Sequence, residues 1–523
     1  MSITGRRLAA SRRLERGPEL SASICAEEDL VMKIDRIPLP SRTEGSITSI
    51  ADEHGLSFIG GRISTGPPGP RFDVVEQEFD FETRSEQLWL AERAHEITIV
   101  PRRGAGRRSL LCCFVAFAAI AAAVPAVSQS NSELGSKLVG TGAVGPSEQG
   151  WSVALSGDGN TAIVGGIVDN KLTGAAWVFT RTNDVWTQQG SKLVGSNVVG
   201  QAGQGISVAL SADGNTAMVG GPYDNLHAGA AWAFTRSGDV WIQQGSKMVG
   251  TGAVGNAAQG SSVALSADGN TALIGGSYDN LKAGAAWVFT RSNGVWTQQG
   301  KMVGTGAVGN AAQGSSVALS ADGNSAIVGG PSDDSYAGAA WVFVRSDGVW
   351  RQQGNKLIGT GAAGKAGQGF SVAMSADGNT AIVGGLGDDA NTGAAWIYSR
   401  TEATWSQQSS KLVGSRAVGE AKQGHSVAMS ADGRTAVVGG IGDNSYNGAA
   451  WAYRRSGATW SQEGEKLVGL GATGHAEQGF SAALSADGNT AVVGGIADNR
   501  VTGAAWIHNR REGMWTQGPF LGY

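Results

Sequence analysis

The sequence predicts an all-β protein, a seven-bladed β-propeller built from four-stranded antiparallel blades. One unit of about 55 residues recurs seven times between residue 134 and residue 523. Each unit contains four short apolar runs separated by turn residues, which indicates four strands. Repeats of this size with four strands are typical of propeller blades, and an open solenoid of the same units is the alternative.

The repeat is marked by the tetrapeptide Gly-Ala-Ala-Trp, whose copies are 55 residues apart with one interval of 54. A second tryptophan follows each copy at a fixed interval, from Trp186 in the first unit to Trp515 in the last. We expect both tryptophans to fill the gap between neighbouring blades, with ligand platforms as the alternative. The tetrapeptides begin at Gly174, Gly229, Gly284, Gly338, Gly393, Gly448 and Gly503.

The second unit shows the four strands most clearly. Residues 207–211 and 216–221 flank an Asp-Gly turn, which is a strong hairpin signal, and residues 229–236 and 240–250 follow as the third and fourth strands. Their runs of Ala, Val and Gly suit strands that are covered on both faces. Residues 136–140 repeat the end of a fourth strand, so we expect them to pair with the last blade and close a monomeric ring.

The region before the repeats has a different character. Residues 1–106 have mixed charge and no sustained period, and we expect them to be disordered or untranslated. Residues 107–128 form a basic flank, an apolar run at 110–127 and small residues, the order of a secretory signal peptide. Because about 100 residues precede it, either the start codon is set too early or the segment is an uncleaved membrane anchor; a buried core helix is the third alternative. The first two alternatives export the repeats to the periplasm, the cell surface or the medium.

Composition excludes one class of partner. The formal net charge is -4 and the basic residues are scattered, so no basic field is available for nucleic acid. The three cysteines all precede the repeats, so no disulfide is expected within the ring.

The unit resembles the FG-GAP repeat, the blade of the integrin α-subunit propeller and its bacterial relatives. The resemblance rests on Gln-Gly-x-Ser-Val-Ala, Ser-Ala-Asp-Gly-Asn and Val-Gly-Gly-Pro and covers residues 134–523, although Gln-Gly stands where Phe-Gly is usual. It implies ligand recognition, adhesion or scaffolding outside the cell. Calcium-binding members carry Asp-x-Asp-x-Asp-Gly in the first hairpin; here each hairpin keeps one aspartate, such as Asp213, so we expect no metal and no cofactor.

The loop between the second and third strands is the candidate binding site. It carries an Asp-Asn or Asp-Asp pair in every unit, followed by residues that differ between units. This loop and the inter-blade loop emerge on the same side of the ring, where we expect any partner to bind. The alternative is an Asx-turn with neutral variation. The candidate ligand-binding residues are Lys171, His227, Lys282, Tyr336, Asn391, Tyr446 and Arg500.

No motif for nucleophilic catalysis or phosphate binding is present, and His227, His425, His475 and His508 are expected at the solvated surface. The sequence therefore predicts a non-catalytic, exported adhesion or scaffold protein that binds a protein or glycan. A multivalent lectin, using the repeated Trp and Asp-Asn for one sugar per blade pair, is one alternative. A propeller hydrolase or quinoprotein is another, which would need unequal, blade-specific carboxylates at the central channel.

Overall fold

The computed structural model describes residues 137–517 and seven short strands before them. The chain divides into two units, Met1–Ser130 and Asn131–Tyr523. In the first unit, β1 pairs with β7, β5 pairs with β2 and β6, and β3 pairs with β4, all antiparallel. The other residues of 1–106 and the whole of 107–128 lie outside the described residues. The disordered or untranslated segment and the signal peptide or anchor therefore stay predictions. These strands are β1 (Leu30–Met32), β2 (Ser46–Ile47), β3 (Ile50–Ala51), β4 (Ser57–Phe58), β5 (Gly61–Gly66), β6 (Gly69–Val74) and β7 (Ile99–Pro101).

The second unit is a seven-bladed β-propeller with four antiparallel strands in each blade, which confirms the predicted fold. The strands of blades 1 to 4 are β9 (Gln149–Leu155), β10 (Thr161–Gly166), β11 (Ala175–Thr182) and β12 (Val185–Gln188); β13 (Ser207–Leu210), β14 (Thr216–Gly221), β15 (Ala230–Ser237) and β16 (Val240–Gln243); β17 (Gln259–Leu265), β18 (Thr271–Gly276), β19 (Ala285–Ser292) and β20 (Val295–Met302); β21 (Ser316–Leu319), β22 (Ser325–Gly330), β23 (Ala339–Ser346) and β24 (Val349–Gln352). Those of blades 5 to 7 are β25 (Ser371–Met374), β26 (Thr380–Gly385), β27 (Ala394–Thr401) and β28 (Thr404–Gln407); β29 (Gln423–Met429), β30 (Thr435–Gly440), β31 (Ala449–Ser456) and β32 (Thr459–Gln462); β33 (Ser481–Leu484), β34 (Thr490–Gly495), β35 (Ala504–Arg511) and β36 (Met514–Gln517).

A one-turn helical segment joins the second and third strands of each blade. These segments are α1 (Asp169–Leu172), α2 (Asp224–His227), α3 (Asp279–Lys282), α4 (Asp333–Tyr336), α5 (Asp388–Asn391), α6 (Asp443–Tyr446) and α7 (Asp498–Val501).

The blades form a closed ring around one axis. The first strands of neighbouring blades contact one another in order, and the first strand of blade 7 contacts that of blade 1. At the first hairpins, backbone hydrogen bonds link each blade to the next: Gly157 N–H donates to the Ala212 carbonyl at 2.8 Å. The series ends where Ala486 N–H donates to the Gly157 carbonyl at 2.9 Å. Because this chain of bonds returns to its start, the units do not form an open solenoid.

The N-terminal end of the described repeats completes the last blade. Strand β8 (Lys137–Leu138) pairs antiparallel with β35, with Leu138 opposite Ala505 and Lys137 opposite Trp506. Leu138 is only 4% exposed. In blade 1 the same position opposite the third strand is taken by Leu193 of that blade itself. The predicted closure of the ring by this segment is confirmed.

The first tryptophan of each unit is a core residue, as predicted, whereas the second packs against the edge of the core and is partly exposed in five blades. The first, such as Trp177, is fully buried, and its indole N–H donates to the Thr141 carbonyl at 2.8 Å. The second is covered by an arginine in five blades; the Arg181 guanidinium lies 5.5 Å from the Trp186 ring centroid. Gly166 is required beneath the first tryptophan, because a Cβ there would lie 2.8 Å from the Trp177 ring.

Candidate functional site

The loop that carries the predicted binding residues is a left-handed turn. In α1, three consecutive residues have positive φ: Asn170 at 48°, Lys171 at 57° and Leu172 at 68°. The other six blades repeat this conformation. Each non-glycine residue in it costs about 1–2 kcal/mol, so contacts with the rest of the blade must hold the turn in place.

The first aspartate of the turn supplies those contacts. Asp169 is buried; its Oδ1 accepts the Val144 N–H at 2.7 Å, and its Oδ2 pairs with Lys192 Nζ at 2.5 Å. The repeated aspartate is therefore a structural residue that ties the turn to the inter-blade loop and to the end of the fourth strand. The seven pairs are Lys192–Asp169, Lys247–Asp224, Lys301–Asp279, Lys356–Asp333, Lys411–Asp388, Lys466–Asp443 and Lys137–Asp498.

The seven predicted binding residues lie on these turns, but not at one equivalent position. Lys171 and Arg500 occupy the third position of the turn, whereas the other five occupy the fourth. All are exposed except Asn391, which is half-buried. The predicted set therefore mixes residues from the third and the fourth position of the turn, and they do not form one ring of equivalent side chains.

Several of these side chains contact the inter-blade loops. Lys422 Nζ donates to Tyr446 Oη at 2.8 Å, and Asn391 Nδ2 donates to Glu420 Oε2 at 3.1 Å. The turns and the inter-blade loops thus lie together on one side of the ring, called here the turn face. The Asp-Gly hairpins and the hairpins between third and fourth strands form the opposite side, the hairpin face.

Sequence reasoning missed two leucines on the turn face. Leu226 and Leu281, at the third position in blades 2 and 3, are 81% and 84% exposed and have φ of 56° and 58°. Tyr278 and Tyr336, from blades 3 and 4, are also exposed. These four residues are called here the apolar arc. Aligning the seven turns by position would have found it, because the other turns carry Lys, Ser, Ala or Arg where these two carry Leu.

A second unequal region surrounds the axis on the turn face. The residue after each Gln-Gly lies at or next to the start of the first strand, and in four consecutive blades, 5, 6, 7 and 1, it is aromatic. Ring centroids lie 5.0 Å apart for Phe370 and His425, 4.6 Å for His425 and Phe480, and 4.9 Å for Phe480 and Trp151. These four residues are called here the aromatic wall. The equivalent residues of blades 2, 3 and 4 are Ile206, Ser261 and Ser315.

His425 is largely buried within this wall. Its Nδ1 lies 2.9 Å from the Phe480 carbonyl, so Nδ1 carries the proton that is donated to this oxygen and Nε2 is left as an acceptor. Burial and, to a smaller extent, the nearby Lys422 charge lower the pKa of His425 against the opposing effect of the Phe480 hydrogen bond, and the resulting pKa is about 4. The imidazole is therefore neutral at pH 7.

His508 is the second histidine that differs from expectation. The prediction of a solvated surface position is wrong for it, since it is 2% exposed on β35. It occupies the position of Phe179 in blade 1, its Nε2 has no hydrogen-bond partner, and burial lowers its pKa to about 4.

Charged residues accompany the aromatic wall at the position just before Gln-Gly. Glu148 in blade 1, Lys422 in blade 6 and Glu477 in blade 7 have φ of 52°, 55° and 55°. The remaining blades carry Gly or Ala there. Burial raises the pKa of Glu148, and the charge of Glu477 raises it further. Burial also raises the pKa of Glu477, partly offset by Lys422. The charged residues and the aromatic wall together are called here the axial entrance.

The hairpin face shows carboxylates that are used within their own turns. Asp213 accepts the Ser211 hydroxyl at 2.5 Å and the Asn215 N–H at 2.9 Å. Burial raises the pKa of Asp213, but these hydrogen bonds outweigh it and hold the pKa below its ordinary value. Within the described part of the chain, no group of three or more His, Cys, Asp or Glu side chains is placed to hold a metal ion.

The same described residues contain no helix with the length and hydropathy needed to cross a bilayer.

Comparison with known proteins gives little information beyond the fold. No protein-family profile matches the sequence, and no curated protein is significantly similar to it, so the resemblance to FG-GAP repeats is not confirmed. Among solved structures, hydrazine synthase of Kuenenia stuttgartiensis is similar over 71% of this chain and 97% of its own, at 13% identity and a TM-score of 0.45. A similarity this weak carries no argument about function.

Proposed function

We propose that this propeller is a non-catalytic interaction protein that binds a protein partner through its turn face, with the apolar arc as the anchor. The observation that carries the proposal is the exposure of Leu226 and Leu281, both above 80%. The fold repeats its frame almost unchanged in seven blades, and the third and fourth positions of the turns on this face differ from blade to blade.

Folding gives no reason for a leucine at this position. The side chain contributes little burial there, and the left-handed backbone disfavours any residue with a Cβ. Apolar residues that are exposed at strained backbone positions are typical of binding surfaces rather than of cores. Tyr278 and Tyr336 extend the same arc, and tyrosine is enriched among the residues that dominate binding energy at protein interfaces.

We further propose that the propeller acts outside the cytoplasm, as an adhesion or scaffold protein. The support is the order of basic flank, apolar run and small residues at 107–128. Either a cleaved signal or an anchor through 110–127 would place the partner in the periplasm, in the medium or at the cell surface.

The lectin alternative, as the repeats suggested it, has lost its basis. It assigned sugar binding to the repeated tryptophans and Asp-Asn pairs. The first tryptophans are fully buried, five of the second are stacked against arginines, and the first aspartates are buried in ion pairs. We therefore do not propose seven equivalent sugar sites.

A hydrolase remains the second candidate because one observation favours it. Glu148 and Glu477 are blade-specific carboxylates beside the axis, and both have a raised pKa. Carboxylates whose pKa is raised by burial and by a neighbouring charge are candidates for acid–base catalysis. The test is turnover of chromogenic glycoside and ester substrates by the wild type and by Glu148→Gln. Turnover that disappears in this variant would favour the enzyme over the interaction protein.

The experiment on the main proposal compares the two faces. Immobilised wild-type protein captures partners from a surface extract of the source cells, alongside Leu226→Ser/Leu281→Ser and the control Val240→Thr/Val295→Thr. Val240 and Val295 are exposed on the hairpin side and lie on strands, where threonine keeps the branched shape.

We expect the leucine variant to lose the captured protein and the valine variant to keep it. Loss in the valine variant alone, with both variants folded, would contradict the assignment of the turn face.

A further inference from the structure

We propose that the axial entrance binds one sugar residue of a glycan, stacked against the aromatic wall. This goes beyond the protein-binding function proposed above and concerns a different part of the turn face. Because the axial entrance occurs once in the ring, we expect a single sugar site per molecule rather than one site per blade pair.

The aromatic wall is not needed for folding. At the same position blades 3 and 4 carry Ser261 and Ser315, whose hydroxyls donate to carbonyls of their own loops at 2.7 and 2.8 Å. A ring is therefore an addition to a frame that forms without one. Phe370 is 38% exposed and the other three rings are partly exposed, so part of each ring is open to solvent.

The arrangement of the rings suits a sugar. Neighbouring rings are tilted by 50–54° to one another and form a row around the axis over four blades. The opposite side of the entrance carries the two serines and Ile206, which are smaller than the rings. The C–H face of a pyranose is apolar and packs against such rings, while its hydroxyls point outward to polar groups.

The polar groups beside the wall are mostly acceptors. His425 Nε2 is an acceptor, because Nδ1–H is donated to the Phe480 carbonyl. Trp151 N–H donates to the Glu148 carbonyl at 3.3 Å and Phe480 N–H to the Glu477 carbonyl at 3.2 Å, so each carboxylate-bearing residue stands one tight turn from a ring of the wall. Sugar hydroxyls are the donors that such a set requires.

A sugar fits these groups better than a cation does. The entrance already contains its own positive charge, Lys422, which interacts with Glu477 and donates to Tyr446 Oη. With neutral His425, the formal charge of Glu148, Glu477 and Lys422 together is -1. A neutral ligand with several hydroxyl donors uses the carboxylates without displacing Lys422.

The position that carries these charges has the same backbone conformation in every blade. The φ is positive in all seven: Glu148, Lys422 and Glu477 in blades 1, 6 and 7, alanine in blades 3 and 4, and the unstrained Gly203 and Gly367 in blades 2 and 5. The strained backbone therefore belongs to the repeat, and what is specific to blades 1, 6 and 7 is the charged side chain at this position.

The experiment is calorimetric titration of the full chain with cellotetraose, maltotetraose, mannotetraose and tetra-N-acetylchitotetraose. We expect at least one of them to bind with a Kd of about 1 mM or tighter and a stoichiometry near one. Trp151→Ser installs the residue that blades 3 and 4 use and should weaken binding at least about tenfold, whereas Trp151→Phe should retain most of it. Glu148→Gln/Glu477→Gln should weaken it roughly fivefold, because neutral acceptors form weaker hydrogen bonds than carboxylates.

The matched control is Leu226→Ser/Leu281→Ser, which should bind the sugar as the wild type does. The proposal is overturned if no probe binds at about 10 mM, or if Trp151→Ser binds as tightly as the wild type. It is also overturned if a tri-arginine peptide binds instead and is lost in the double Gln variant, which would identify a cation site. None of these results affects the test of the turn face, because neither leucine belongs to the entrance.

Discussion

Replacing Lys137 by methionine should destabilise the protein by about 3 kcal/mol, because this lysine pairs with a buried carboxylate at the point where the ring closes. Its Nζ lies 2.7 Å from Asp498 Oδ2 and donates to the Gly471 carbonyl at 2.7 Å. The Asp498 side chain is 1% exposed and that of Lys137 16%. Lys137 belongs to β8, so its loss weakens the attachment of the N-terminal strand to blade 7.

The expected loss of about 3 kcal/mol comes from the buried Asp498 carboxylate, which is left without a partner. Removing one partner of a buried pair typically costs about 3–5 kcal/mol, and the partial exposure of Lys137 places this case at the lower end. Methionine keeps most of the aliphatic contact with Trp506, whose ring centroid lies 5.6 Å from Nζ, so the cost comes mainly from the uncompensated charge of Asp498.

The assay is urea unfolding followed by circular dichroism. The second variant is Lys137→Met/Asp498→Asn. In the wild type, the Thr473 N–H donates to Asp498 Oδ1 at 2.7 Å. Asparagine removes the buried charge but keeps an Oδ1 acceptor for this N–H. It should recover most of the lost stability. Arg416→Met is the control, because its partner Glu465 is exposed and such pairs contribute about 0–1 kcal/mol. Equal losses for Lys137→Met and Arg416→Met, or no recovery in the double variant, would refute the reasoning.

Three further predictions concern residues that differ between blades or are fixed by packing. The folded pKa of His508 is about 4, below its ordinary 6.5, so the unfolded state binds more protons between these two pH values. Stability therefore falls as the pH drops from about 6.5 to about 4. His508→Phe should reduce the difference between the melting temperatures at pH 7 and pH 5. Glu148→Gln/Glu477→Gln should raise the melting temperature at pH 7 but not below about pH 4, because the raised pKa values show that ionisation opposes folding. Gly166→Ala should cost at least about 2 kcal/mol in urea unfolding, because its Cβ would meet the Trp177 ring at 2.8 Å, whereas Gly300→Ala, with no atom within 4 Å, should cost far less.

The architecture was predictable because each blade repeats the same local signals. Asp-Gly between two apolar runs specifies the first hairpin, and Asp213 forms the hydrogen bonds that such a turn needs. The ring closure was predictable from the copy of the fourth-strand ending at residues 136–140. The number of blades follows from counting one tetrapeptide, so no long-range contact had to be known in advance.

The candidate site was harder to predict because its signals lie in departures from the repeat. The predicted binding residues, which vary after the Asp-Asn pair, combine Lys171 and His227 although these occupy different positions of the turn. Leu226 is not distinguished by its sequence context alone, because a lone leucine is typical of a core position. The same holds for His508, which is read as polar until it is aligned with Phe179 and seen to be in the core.

The role of the first aspartate in each turn also required the structure. Asp-Asn predicts an Asx-turn, but the partner Lys192 is 23 residues away in the sequence, and no local pattern links the two. The aromatic wall depends in the same way on contacts between different blades, such as Phe480 and Trp151, which are distant in the chain and adjacent around the axis.

The most direct test of the turn face as the binding surface is photo-crosslinking at one position on each side of the ring. A benzophenone amino acid replaces Leu281 in one variant and Val240 in another; both positions are at least 60% exposed, so both tolerate the larger side chain. The variants are irradiated with the captured partner, and the products are identified by mass spectrometry. The account predicts a covalent adduct with the partner from position 281 and none from position 240. An adduct from position 240 alone would contradict it.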